Sequence, residues 1–132
     1  MKITYKELED SLLPSLKEMH QLPLPSASID DFISLAENLS ECEKTSKDFW
    51  MARENLLQAY AEVGENGEKL VVKREGHPDS YKINNIIKYN EKFAELLSTE
   101  KDIKITKVER SIFKDVVGLK PIIVKGLLKI LK

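Results

Sequence analysis

From Ile29 to Val63 the chain runs for 35 residues without a proline or a glycine. "SIDD" at residues 28 to 31 opens this run. It offers an N-cap serine with carboxylates in the first turn, where the helix dipole favours them. Gly64 closes it, as a residue that tolerates a left-handed helix end. The run therefore reads as one helix of about 35 residues, some 52 Å long. Two apolar stripes lie on it. Ile29, Phe32, Ala36 and Leu39 form the first; Trp50, Leu57 and Tyr60, with Phe49, Leu56 and Val63 beside them, form the second. The connecting "SECEKTSKD" is nearly all polar, which argues against a continuous coiled coil and makes the middle the least packed part.

The flanking segments are half as long. Thr4 begins "TYKE", a capping box, and Leu8, Leu12, Leu16 and Met19 follow on one stripe. Pro14 removes a backbone donor inside that helix and should bend or interrupt it near Leu12–Leu13. "QLPLPSAS" is a turn. Asn84 and Asn85 can cap a second short helix from Ile86 to about Thr99, with Ile86, Tyr89 or Asn90, Phe93, Leu96 and Leu97 inward. Each short helix spans roughly 24 Å, so two of them laid antiparallel and end to end match the long one. "KIT" at residues 2 to 4 and the alternating "DIKITKV" at 102 to 108 would then meet near its middle as a strand pair.

"GENGEKLVVKREGHPDSYKI", residues 64 to 83, holds two β-rich arms and two turn signals, of which Asn66-Gly67 is one. It reads as a hairpin that reverses the chain and caps the end of the long helix. "ERSIFKDVVG" reads as a short helix closed by Gly118, and Pro121 opens the last one at its first-turn position. The expected fold is mainly α (α+β), a single domain over 1–132. Its parts are a strand and first helix (1–27), the long helix (28–64), the hairpin (65–83), a helix and strand (84–108) and C-terminal helices (109–132).

Chemistry is sparse. The two histidines, His20 and His77, are explained by a helix C-terminus and a solvated loop tip. Cys42 sits between Glu41 and Glu43, which raise a thiol's pKa, the wrong direction for a nucleophile. Glu37 and Glu41 share a helix face at i, i+4 but read as a wet surface. No phosphate-cradling glycine motif or Ser-His-Asp set can be assembled. No enzyme activity, cofactor or metal is expected. A lone cysteine and the absence of an apolar leader or an 18-residue apolar run suit a cytoplasmic protein.

Charge is distributed unevenly. Residues 1–64 hold 6 Lys/Arg against 12 Asp/Glu, and residues 65–132 hold 15 against 10. Such asymmetry can guide self-association or partner docking. "LKPIIVKGLLKILK", residues 119 to 132, has eight Ile/Leu/Val, four lysines and no acid. It could lie on an anionic membrane surface or in a partner's groove. The favoured reading is a helix docked on its own core, because Gly126 costs an isolated helix about 1 kcal/mol. Lys69, Lys73, Arg74 and Lys82 on the hairpin, with Lys125 and Lys129, are the candidate partner-binding cations. Nucleic-acid binding would need a denser basic stripe with interleaved aromatics.

"KITYKELEDSLLPSLKEMHQLPLP", "ARENLLQAYAEVGENGE" (Ala52 to Glu68) and "YNEKFAELLSTEKDIKI" (Tyr89 to Ile105) together resemble a family of small uncharacterised proteins encoded by tailed phages and prophages of Gram-positive bacteria. The basic ending departs from the acidic or neutral final helix of that family. The resemblance carries no functional residues. It implies a protein of the infected host's cytoplasm or of virion assembly: a non-enzymatic binder of a host or phage protein, acting as assembly factor, chaperone-like adaptor or inhibitor. The alternatives are a peripheral membrane protein using residues 119–132 and a weak nucleic-acid binder using the hairpin. Homo-oligomers fit the first reading as well.

Overall fold

The structure, a computed structural model, describes residues 1–132. Its elements run β1 (Lys2–Thr4), α1 (Tyr5–Glu7), a π-turn (Leu8–Leu12), α2 (Leu13–Gln21), α3 (Ile29–Tyr60), β2 (Val71–Val72), β3 (Ser80–Tyr81), α4 (Ile86–Ser98), β4 (Glu100–Asp102), a 3₁₀ turn (Arg110–Phe113), α5 (Pro121–Leu127) and a final 3₁₀ turn (Leu128–Ile130). The fold is mainly α with two antiparallel strand pairs and one long central helix. The chain divides into two units, residues 1–47 with 99–132, and residues 48–98.

The long helix is continuous over 32 residues, about 48 Å. Its start is a reciprocal capping box. Asp31 N donates to Ser28 Oγ at 3.1 Å, and Ser28 N donates to the Asp31 carboxylate at 2.9 Å. It stops at Tyr60, three residues before Val63. Ala61 and Val63 leave the helix to form bridges with Ile83 and Lys69, so this end is set by β pairing and not by Gly64.

In the first unit, α1, the π-turn and α2 form one interrupted helix. Thr4 caps it, accepting from Glu7 N at 3.1 Å. Leu13 N donates to Leu8 O, five residues back. The expected bend at Pro14 thus takes the form of a π-bulge, which widens the turn facing the proline ring and relieves its clash with the carbonyl four residues before. β1 pairs with β4, Lys2 opposite Asp102 and Thr4 opposite Glu100. The strand expected at 102–108 is therefore corrected to 100–102. Ile103 N still bonds Met1 O at 2.8 Å, but from residue 104 the backbone finds other partners. Thr106 is held by a side chain: its N–H donates to Asn38 Oδ1 at 2.9 Å, and its carbonyl accepts from Asn38 Nδ2 at 2.8 Å. Asn38, only 1% exposed, so acts as a single rung of β-ladder supplied by a helix.

The segment 109–118 is corrected likewise. It is one 3₁₀ turn, and Asp115 and Gly118 take left-handed φ of 60° and 82°. Pro121 does open α5 at its first turn. Ile123, Leu127, Ile130 and Leu131 are buried, and Val108 bonds Ile130 O and Lys132 N at 2.8 and 2.9 Å. The C-terminal segment is docked on its own core. Gly126 permits the approach: a Cβ there would stand 2.8 Å from Ser11 O and 2.9 Å from Ser15 Cβ.

In the second unit, α4 runs antiparallel to the end of α3 and the rings between them form a ladder. Tyr60 meets Tyr89 at 6.3 Å, Tyr89 stacks on Phe93 at 6.1 Å, and Phe93 meets Phe49 at 6.3 Å. Asn85 caps α4, its Oδ1 accepting from Lys88 N at 3.3 Å. Between the helices, β2 and β3 pair with Val71 opposite Tyr81. Asn84 N donates to Tyr60 O at 2.7 Å, so the segment after the hairpin satisfies a carbonyl at the end of α3.

Candidate interaction surface

The first half of α3 does not bury the stripe its sequence advertises. Ile29 is 74% exposed, Ile33 50% and Phe32 45%, and Ala36 is exposed with them. The face turned to the core of the first unit lies about 100° away. Its buried side chains are Asn38, Cys42 and Ser46, flanked by the half-buried Leu35 and Leu39. The supposedly loose polar middle is thus well packed, which corrects the sequence expectation. Small size explains Cys42, and hydrogen bonding explains the other two. Asn38 holds Thr106, and Ser46 Oγ donates to Glu9 on the π-turn.

The uncovered stripe borders a groove of ≈ 220 Å³ between α2, the "LPLP" turn and α3. Leu16, Met19, Leu22, Leu24, Phe32 and Leu35 supply most of its wall. His20 also lines it, so the histidine at the end of α2 sits at an apolar groove as well as a helix terminus. Asp30 and Glu37 stand three residues before and four after Ile33, on the side of α3 turned away from the groove; Glu37 lines a separate shallow depression with Lys104 and Thr106. From residue 29 to residue 43 there are five carboxylates and no lysine or arginine.

The candidate cations are distributed over both units. In the second unit, Lys69 Nζ donates to Gln58 Oε1 at 3.2 Å, and Lys82 is paired with Glu62 at 3.0 Å. Lys73 is exposed. Arg74 lines an open cleft with Arg53, Leu57, His77, Asp79 and Tyr81. The Tyr81 hydroxyl donates to Glu54 at 3.2 Å, and that carboxylate pushes its phenol above the ordinary range. In the first unit, Lys129 is bonded to Glu7, holding the Glu7 carboxyl below its usual value. Lys125 stands beside an open apolar depression formed by Leu119, Pro121, Val124 and Leu128.

No cluster of three His, Cys, Asp or Glu side chains converges anywhere in the chain. No helix is long and apolar enough to cross a membrane. Cys42 is fully buried, and its thiol is pushed up to about 12, first by burial and then by Glu41 and Glu43. At pH 8 only about one such thiol in 10⁴ is ionised. The folded protein should therefore resist thiol-specific reagents, with modification tracking unfolding in urea; rapid labelling of the native state would contradict this environment.

The stripe and its groove were not identifiable from sequence as a site. The signal was present as an apolar stripe, but a stripe alone does not reveal whether the chain covers it. Compared with protein-family models, with curated proteins and with solved structures, the chain matches none.

Proposed function

We propose that this chain is a non-enzymatic binding protein that docks a protein partner on the uncovered stripe of α3. The exposure of Ile29, Phe32 and Ile33 beside an apolar groove that Phe32 itself lines carries this reading. An apolar helix face of this kind suits the apolar side of an amphipathic helical segment laid along it. The resemblance in the sequence suggests a phage or host protein as that partner and the host cytoplasm as its place. The membrane-surface reading is weaker, because four of the eight Ile/Leu/Val side chains it would use in residues 119–132 are spent on the protein's own core. The nucleic-acid reading is weaker because two of its four hairpin cations already have partners.

The test is affinity capture with the full chain and with Ile33→Asp. A specific partner should be retained by the first and lost by the second. Identical captures with both would remove the stripe as the docking face.

A further inference from the structure

The turn that leads from α3 into the hairpin carries a reactive pair. Gly67 N donates to Gly64 O at 3.0 Å, closing a β-turn, and Gly64 N donates to Glu68 O at 2.7 Å across the loop. Gly67 takes the left-handed φ of 76° that such a bulged turn requires. Asn66 and Gly67 are both exposed. The Asn66 amide has no hydrogen-bond partner within the chain. A Cβ at Gly67 would meet nothing within 4 Å beyond its chain neighbours. The chain has six asparagines, and Asn66 alone is followed by glycine. At the other five, the next side chain hinders approach to the following backbone nitrogen. Asn38 is also buried, with both ends of its amide bonded to Thr106.

From this contrast we propose that Asn66 is a site of spontaneous covalent modification, in which its side-chain amide is lost to isoaspartate or aspartate. The backbone nitrogen of Gly67 attacks Asn66 Cγ and forms the C–N bond of a five-membered succinimide. The Cγ–Nδ2 bond breaks, and ammonia leaves with the proton that Gly67 N gave up. Water then opens the ring. Opening at the backbone carbonyl leaves isoaspartate, with the chain running through the side chain; opening at Cγ leaves aspartate. Nothing is oxidised or reduced. Attack requires the turn to open, because Gly67 N–H is held by Gly64 O. One exposed hydrogen bond slows it only about fivefold, at a loop tip where local opening costs little. Asn38 reaches such a geometry only by global unfolding, which is more than about 10³-fold slower. Isoaspartate lengthens the backbone by one methylene and adds a carboxylate between Glu65 and Glu68. Gly67 N then misses Gly64 O, and the bridge of Val63 with Lys69 loses its closing turn.

Ageing the full chain at pH 8.5 and 37 °C tests this, beside one sample at pH 6 and one unfolded in guanidinium chloride. Tryptic mapping reads the mass gained when an amide becomes a carboxyl. Asn55 and Asn66 share the peptide of residues 54–69 and are told apart by fragmentation. Asn66 should convert first, with isoaspartate in excess over aspartate. Its rate should be greater at pH 8.5 than at pH 6, because only the deprotonated nitrogen attacks, and within about tenfold of its rate in the unfolded chain. Hydrogen exchange at the Gly64 and Gly67 amides should accelerate as product accumulates. Asn66→Gln, whose ring would need six members, should keep both its mass and its exchange protection over the same period. An Asn66 that survives in the folded chain while converting in the unfolded one would overturn the proposal. So would another asparagine that converts first, or the same loss of protection in Asn66→Gln.

Discussion

Gly126→Ala should destabilise the protein by about 2 kcal/mol, although the same change in an open helix would stabilise it by about 1 kcal/mol. The new methyl group would stand 2.8 Å from the Ser11 carbonyl oxygen and 2.9 Å from Ser15 Cβ, and would overlap Ser15 Oγ. Rotating the serine hydroxyl relieves only the last of these. The carbonyl belongs to the π-turn and Ser15 Cβ to α2, so α5 must lift, loosening Ile123 and Leu127 from the core. Overpacking of this kind costs about 1–3 kcal/mol, and here backbone supplies part of the clash. Ser15→Gly in the same chain should recover part of the loss, giving a coupling energy of opposite sign to the single effects. Urea midpoints measure both. A Gly126→Ala protein more stable than wild type would mean that α5 does not lie against the π-turn.

Asn38→Asp should cost about 3 kcal/mol at neutral pH. The side chain is 1% exposed and makes both hydrogen bonds to Thr106. A carboxylate keeps the bond from Thr106 N but turns its second oxygen toward the Thr106 carbonyl, placing a charge in a buried site without a donor. Burial raises the folded-state pKa of such a carboxyl above its unfolded value. The penalty is then greatest at neutral pH and shrinks as pH falls through the folded-state pKa, where the protonated group can donate again. Urea titrations at pH 7 and pH 5 should therefore differ between variant and wild type in that direction. Asn38→Ala, which introduces no charge, should lose about 2 kcal/mol for two hydrogen bonds and show no such pH dependence.

These two sites show where local sequence signals end. Caps, turns and the long helix were legible because each depends on residues within four positions of one another. Ser28 with Asp31, Thr4 with Glu7, and Pro121 at the start of α5 all sit where the sequence put them. The antiparallel companions of the long helix followed from lengths alone, and each unit contains one. Pro14 announced a distortion but not its kind, since a π-bulge is chosen by what packs against the turn.

What escaped reading was long-range. Residues 103–108 alternate like a strand, yet beyond Ile103 their backbone partners are one asparagine, 68 positions away, and the chain end at Ile130 and Lys132. The core face of α3 was misread because hydrophobicity pointed to Ile29, Phe32 and Ala36. Its tightest positions are small or polar side chains whose partners arrive from elsewhere in the chain. The same misreading hid the candidate site: an apolar stripe is core by default, and only the fold reveals that nothing in the first unit covers it. The candidate cations were legible as charges but not as free charges, because the acceptors of Lys69, Lys82 and Lys129 come from other elements.

Whether the stripe of α3 is surface or core is measured most directly by the unfolding free energy of Ile33→Asp. Exposed positions away from caps and buried partners tolerate substitution within about 1 kcal/mol, so the variant should unfold in urea nearly where wild type does while losing its partner. Leu127→Asp, at a fully buried position, should by contrast fail to fold. A loss of more than about 2 kcal/mol for Ile33→Asp would mean that the stripe is covered by the protein itself, and the docking face would not exist.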